Sequence, residues 1–163
     1  MGELYLIRHG LAEERGTYAN DEERPLTDAG RSKTKQVAKR LYELGIRLDL
    51  IQTSPLVRAQ QTAEILQAAH LSHQLETSSD LAPNGNFETW VKGLQPWQAQ
   101  GKTLAIVGHE PNLGEWAEWL IWGKVRHQLI VKKAGVIGLL LPKSGSPIGN
   151  SQLFWLTPPK LLL

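Results

Sequence analysis

Two histidines and two arginines stand where apolar runs of this chain end. "LYLIRHG" carries Leu4 to Ile7 into Arg8, His9 and Gly10; "SPLVR" sets Ser54 four residues before Arg58; "TLAIVGH" runs into Gly108 and His109. A guanidinium keeps its proton in a protein, so two of them gathered at one place are costly unless a multivalent anion sits between them. Phosphate suits such a pair, because planar forks match its oxygens. Imidazole adds reactivity: a neutral ring nitrogen is a nucleophile toward phosphorus, and Arg8 and Arg58 nearby would disfavour the protonated form of His9. A hydrogen bond from its other nitrogen to a backbone carbonyl would fix the tautomer, and Gly10 would let the main chain approach closely. His109, if protonated, would donate to the phosphoryl oxygens as their charge redistributes.

These residues meet only if their strands are parallel neighbours. Leu4 to Arg8 reads as a buried strand, and "PLTDAGRSKTKQVAKRLYELG" follows with Thr27 as N-cap, Val37, Leu41 and Leu44 on one face, and Gly45 as a stop. Leu48 to Ser54 is a second strand, after which Pro55 can open a helix with Ala59, Thr62, Ile65, Leu66 and Ala69 at helical spacing. A weaker strand near Gln74 to Ser79, a short helix around Phe87 to Leu94, the "TLAIV" strand and a helix stopping at Gly123 come next. Two or three strands, "HQLIV", "GVIGLLL" and "QLFWLT", finish the chain, with "PKSGSPIGN" as the turn between the last two. Alternating strands and helices, with continuous apolar strands, predict a three-layer α/β/α domain with a mostly parallel central sheet covered on both faces. In such sheets the site lies beyond the carboxyl ends of the central strands.

The 163 residues suit a single domain over 1–163, with no repeat and no linker, and the closing "PPKLLL" reads as a tail packed on the surface or frayed. A net charge of +2 with scattered Lys and Arg demands neither nucleic acid nor an anionic membrane as partner. The absence of cysteine excludes disulfides, thiolate metal sites and a cysteine nucleophile. No apolar run approaches a membrane span and no signal-type segment opens the chain, so a cytoplasmic location is the default.

With "LIRHG", "SPLVRAQQT" and "IVGH" in place, the chain resembles the histidine phosphatase, or phosphoglycerate mutase-like, superfamily. Its length and the "RPLTDAG" stretch are similar to SixA-type phosphohistidine phosphatases. The resemblance runs from Leu4 to about Leu113. It implies His9 as nucleophile, Arg8 and Arg58 as phosphate-binding residues, His109 as second catalytic histidine and Arg24 as a further basic residue near the pocket. Phosphate would move to His9 and then to water, without metal or organic cofactor. The partner would be a phosphohistidine-bearing signalling or phosphocarrier protein, with inorganic phosphate as product.

The proton donor is where the pattern falls silent. Some relatives acting on phosphate esters carry an acid directly after the second histidine, where this chain has Glu110; Glu13, Glu14 and Glu88 are other acids, none specified by spacing. An imidazole leaving group needs much less help than an alkoxide, so a missing donor biases the reading toward P–N bonds. The short stretch before the "TLAIV" strand points the same way, leaving room for a protein-borne side chain. A phosphatase of small phosphate esters and a noncatalytic phosphate-binding module remain the alternatives.

Other features have simpler readings. His70 and His73 form an HxxH spacing at a helix end with no further ligand nearby, against metal binding, and His127 reads as a surface or core-edge residue. Trp116, Trp119 and Trp122 predict a core-facing stripe, with an aromatic docking surface as the alternative. The basic residues from Arg31 to Arg40 read as a solvated helix face.

Overall fold

The computed structural model describes residues 1–163. Its sheet takes β1 (Glu3–Arg8), β2 (Leu50–Thr53), β3 (Leu75–Thr77), β4 (Thr103–Gly108), β5 (Val136–Leu140) and β6 (Gln152–Thr157) in the order β3-β2-β4-β1-β5-β6. β1 to β4 are mutually parallel where they pair, whereas β5 runs antiparallel to both β1 and β6. Helices α1 (Asp28–Glu43) and α2 (Val57–Ala68) cover one face; α3 (Phe87–Lys92) and α5 (Asn112–Trp122) cover the other, with α4 (Gln95–Gln100) beside them. The expected α/β/α sandwich with a mostly parallel sheet is therefore the fold.

Strand composition explains the layering. Leu4, Leu6, Leu104 and Ile106 point into the core shared with Trp90, Leu113, Trp116 and Leu120. Tyr5, Ile7, Ala105 and Val107 point the other way, onto Val37, Leu41, Ala59, Ala63 and Leu66. A strand buried on both faces reads as a continuous apolar run, which β1 and β4 do. Thr27 caps α1 by accepting the Gly30 N–H at 2.9 Å, and Gly45 and Gly123 supply the left-handed turns that end two helices. Lys33, Lys35, Lys39 and Arg40 lie on the solvated side of α1.

Four expectations change. "HQLIV" is not a strand, because the buried carboxylate of Glu118 accepts the N–H groups of Arg126, Gln128 and Leu129 and so replaces a neighbouring strand as their partner. α2 begins at Val57 with Leu56 as cap, two residues after Pro55. Leu44 belongs to the cap of α1 and is exposed, not on its buried face. Of the tryptophan stripe only Trp116 is in the core; Trp119 and Trp122 are 37% and 38% exposed, with Trp119 stacked on Phe87. The C-terminal stretch packs through Leu162, which joins the core beneath α1. His70 takes a left-handed backbone with its ring at the edge of Tyr42, and His127 is exposed.

Candidate active site

Register brings the three strand ends together. Arg8 is paired with Gly108 across β1 and β4, and Thr53 with Val107 across β2 and β4. The ladder continues one step beyond each strand, as His9 N–H donates to the Gly108 carbonyl (3.1 Å) and Ser54 N–H to that of Val107 (3.0 Å). From β1 the chain crosses to α1 on one face, and from the adjacent β4 to α5 on the other, so a crevice opens between their carboxyl ends. His9 and His109 occupy it with ring centroids 5.2 Å apart.

His9 is held by its own neighbour. Its Nδ1 lies 2.7 Å from the Gly10 carbonyl, which makes Nδ1 the protonated nitrogen and leaves Nε2 with a free lone pair. Gly10 itself is wedged: a Cβ there would stand 2.4 Å from Thr34 Oγ1, and its N–H donates to Thr62 Oγ1 at 3.0 Å. Gly10 thus shapes the site through its backbone, and its N–H is already committed to Thr62. Burial pushes His9 down to about 3, against the hydrogen bond to Gly10, with His109, Arg58 and Arg8 adding to the fall. Burial, then Arg58 and Arg8, takes His109 to about 4. His109 is therefore neutral at neutral pH, which corrects the idea of a protonated donor.

The arginines arrive from three elements. Arg8, at the end of β1, donates through a terminal nitrogen to the Val131 carbonyl at 3.3 Å. Arg58, in the first turn of α2, donates to the Asp21 carbonyl (2.9 Å) and to its carboxylate (3.2 Å). Arg24 donates Nε to the other Asp21 oxygen (3.0 Å) and a terminal nitrogen to the Glu13 carbonyl (2.7 Å). Asp21, on a single 3-10 turn, thus ties two guanidinium groups together, and the Arg24 hydrogen bond foremost holds its carboxyl below the usual range.

Glu110 follows His109 into the cavity. Its carboxylate accepts the Gly114 N–H at 2.7 Å and reaches the Val131 N–H at 3.5 Å, while burial pushes the group up despite those donors. Arg15, Lys133 and Pro83 complete a cavity of about 240 Å³ that is polar apart from Pro83. Glu13 enters only through its backbone carbonyl, and Glu14 and Glu88 do not line the cavity. A larger groove of about 490 Å³ lies beside α4 and the β5–β6 turn, but no histidine and no acid lines it, so chemistry rather than size selects the site.

The polar accounting makes the same choice. Four buried side-chain polar atoms lack a hydrogen-bond partner, and three of them, Arg8 Nε, Arg58 Nε and His109 Nδ1, belong to residues of this cavity. Orphaned buried polar atoms are expensive, and a guest rich in acceptor oxygens would satisfy the two guanidinium donors among them.

Arg8, His9, Arg24, Arg58, His109 and Glu110 all line the one cavity. Arg15, Asp21 and Lys133 were not anticipated. Asp21 stands three residues before Arg24, a spacing that could have suggested an ion pair. Arg15 and Lys133 sit in irregular segments where local pattern carries no signal.

Residues 4–111 match the family model of the Histidine phosphatase superfamily (branch 1). The chain belongs to that superfamily. An uncharacterized protein of Picosynechococcus sp. is 47% identical, over 99% of each chain. Among solved structures, the protein histidine phosphatase SixA complexed with tungstate aligns with a TM-score of 0.86 at 24% identity, covering 99% of both chains. The alpha-ribazole phosphatase of Shigella flexneri aligns at 0.69 and 17% identity, covering 96% of each. At these identities the structures share a fold with this member of the superfamily. The expectation of a phosphatase enzyme stands with the family match. No helix is long and apolar enough to cross a membrane.

Proposed function

We propose that the protein removes phosphate from a phosphorylated histidine of a partner protein through a phosphohistidine formed on His9. The observation that carries this reading is the neutral, tautomer-fixed His9 beside the unpartnered Arg8 Nε, Arg58 Nε and His109 Nδ1. In the first step a bond forms between His9 Nε2 and phosphorus while the substrate's P–N bond breaks, and the departing imidazole takes up a proton from solvent. Water then attacks phosphorus, releasing inorganic phosphate and restoring His9. Arg8, Arg58 and His109 hold the phosphoryl oxygens through both steps, with Arg24 acting through Asp21 on Arg58.

A departing imidazole has a conjugate acid of pKa about 6.5, so it leaves readily where an alkoxide would need a strong push from an acid. A partner of this kind would be a signalling or phosphocarrier protein of the cytoplasm, reached without nucleic acid or membrane. The tungstate bound by the SixA neighbour supports oxyanion binding here. Glu110, a half-buried acid lining the cavity and pushed up by burial, favours a second reading in which it protonates the oxygen of a small phosphate ester.

Incubation with a labelled phosphohistidine carrier protein tests the proposal. Free phosphate and a transient acid-labile label that His9→Ala abolishes are expected. Faster turnover of small esters such as phosphoglycerate would overturn the substrate choice. Phosphate binding without label on His9 would leave a noncatalytic module.

A further inference from the structure

Ser54 ends β2's ladder as His9 and His109 end theirs, and its side chain faces His109 rather than the cavity. Ser54 is fully buried, and its Oγ lies 2.8 Å from His109 Nε2. The same oxygen already accepts the Leu56 N–H at 3.2 Å. Its own proton then needs an acceptor, and His109 Nε2 is the one within reach. We infer that the Ser54 hydroxyl donates to His109 Nε2 and thereby holds the imidazole with its proton on Nδ1, as a hydrogen-bond donor to the phosphoryl group.

The alternative tautomer fails on two counts. With the proton on Nε2, Ser54 would receive two donors and leave its own fully buried hydroxyl hydrogen unpaired. His109 Nδ1, which meets no protein partner, would then turn a bare lone pair toward anionic oxygens. With the proton on Nδ1, the hydroxyl and both ring nitrogens are used once phosphate is present. Ser54 is thus a positioning residue acting through His109. Its serine also sits at the start of α2's approach, so one short segment, Ser54 to Arg58, sets both the tautomer of His109 and the fork of Arg58.

This rests on the cavity being the phosphoryl site, and the experiment separates the two. Imidazole nitrogens are labelled with ¹⁵N, and long-range ¹⁵N–¹H correlation at pH 7.5 reads which nitrogen of His109 is protonated, with His109→Gln identifying the signals. The wild-type spectrum alone decides the tautomer: a proton on Nδ1 is expected, and a proton on Nε2 overturns the inference. Inorganic phosphate should shift that Nδ1–H downfield; no shift at saturating phosphate, monitored on Arg58, overturns its role as donor. Ser54→Ala should populate the Nε2-protonated form and lower kcat at least roughly tenfold, the scale of losing a group that orients an active imidazole. Ser54→Thr, which keeps the hydroxyl, should retain the Nδ1 tautomer. Ser54→Ala with unchanged tautomer and kcat would refute the role. A wild type that neither turns over phosphohistidine nor binds phosphate would instead refute the proposed function, leaving the tautomer measurement intact.

Discussion

Lowering the pH from 7.5 to 5 should destabilise this protein through its two cavity histidines by an amount their burial specifies. An unfolded histidine titrates near 6.5, whereas His9 and His109 are held at about 3 and about 4 in the fold. At pH 7.5 both states are neutral and nothing is contributed. Below 6.5 the unfolded chain binds protons that the folded cavity refuses, so stability falls as pH falls, until the folded values are reached. At pH 5 the deficit is about 2 kcal/mol for each histidine, hence about 4 kcal/mol for the pair, from RT ln(1 + 10^1.5). The groups around them are Arg8, Arg15, Arg24, Arg58 and Lys133, with Asp21 and Glu110 as the acids, so the surrounding charge is net positive and opposes protonation.

Urea denaturation at stepped pH, in buffers without phosphate, measures this. His9→Asn keeps an amide that can donate to the Gly10 carbonyl, and His109→Gln keeps one that reaches Ser54. Carboxylates held low, Asp21 and Glu118 among them, titrate alike in wild type and variants and cancel in the comparison. Between pH 7.5 and 5 each variant should lose about 2 kcal/mol less than wild type. Parallel curves for wild type and both variants would refute the argument that the cavity keeps its histidines neutral.

Arg58→Ala should weaken phosphate or tungstate binding, measured by calorimetry, by roughly tenfold to a hundredfold, and Arg58→Lys should not restore it because a point charge cannot replace the fork. Gly10→Ala should cost roughly 1–3 kcal/mol in thermal or urea unfolding, since its Cβ would stand 2.4 Å from Thr34 Oγ1, and adding Thr34→Ala should recover part of that loss. Glu118→Ala should cost roughly 3 kcal/mol or more, leaving three backbone donors without their carboxylate, and hydrogen exchange should report opening of residues 126–129.

What could be read from the sequence was what adjacent residues enforce. The apolar runs of β1 and β4 and the residues ending them, Arg8-His9-Gly10 and Gly108-His109, follow from strand period and burial. The bond from His9 Nδ1 to a carbonyl was legible in kind, because an imidazole at the end of a strand needs a backbone partner, and the partner is its immediate neighbour Gly10. Legibility failed where a partner lies far along the chain. "HQLIV" has strand composition, yet a carboxylate on α5 takes the N–H groups a neighbouring strand would have taken. Asp21 bridging Arg24 and Arg58 requires the arch before α1 to fold over the first turn of α2, a contact that spans 37 residues. The tryptophan spacing was right for a helix but could not say how wide a face α3 would cover.

The neutrality of both histidines bears on substrate choice more than the presence of either. Arg8, Arg15, Arg24, Arg58 and Lys133 already outnumber Asp21 and Glu110 around the cavity, so a phosphoryl dianion gains its attraction from fixed cations and needs no charge from imidazole. An uncharged His109 can donate a hydrogen bond but is not an acid of useful strength, so the leaving group does not take its proton from this imidazole. Glu110 is the remaining acid, and its oxygens are turned toward the N–H groups of Gly114 and Val131, whose bonds favour the ionised form against the burial that opposes it. Such a carboxyl pins the loop carrying Val131, and through it Arg8, and it is also the acid of this cavity that burial pushes toward holding a proton for an alkoxide leaving group. Glu110→Gln preserves acceptance of those N–H groups through its amide oxygen and removes the acid. It should leave turnover of phosphohistidine within about a factor of three while depressing turnover of alkyl phosphate esters much further, because only the latter depend on general acid catalysis worth roughly a hundredfold or more. Equal losses on both substrates would make Glu110 a proton donor for P–N and P–O bonds alike and remove this argument for selectivity.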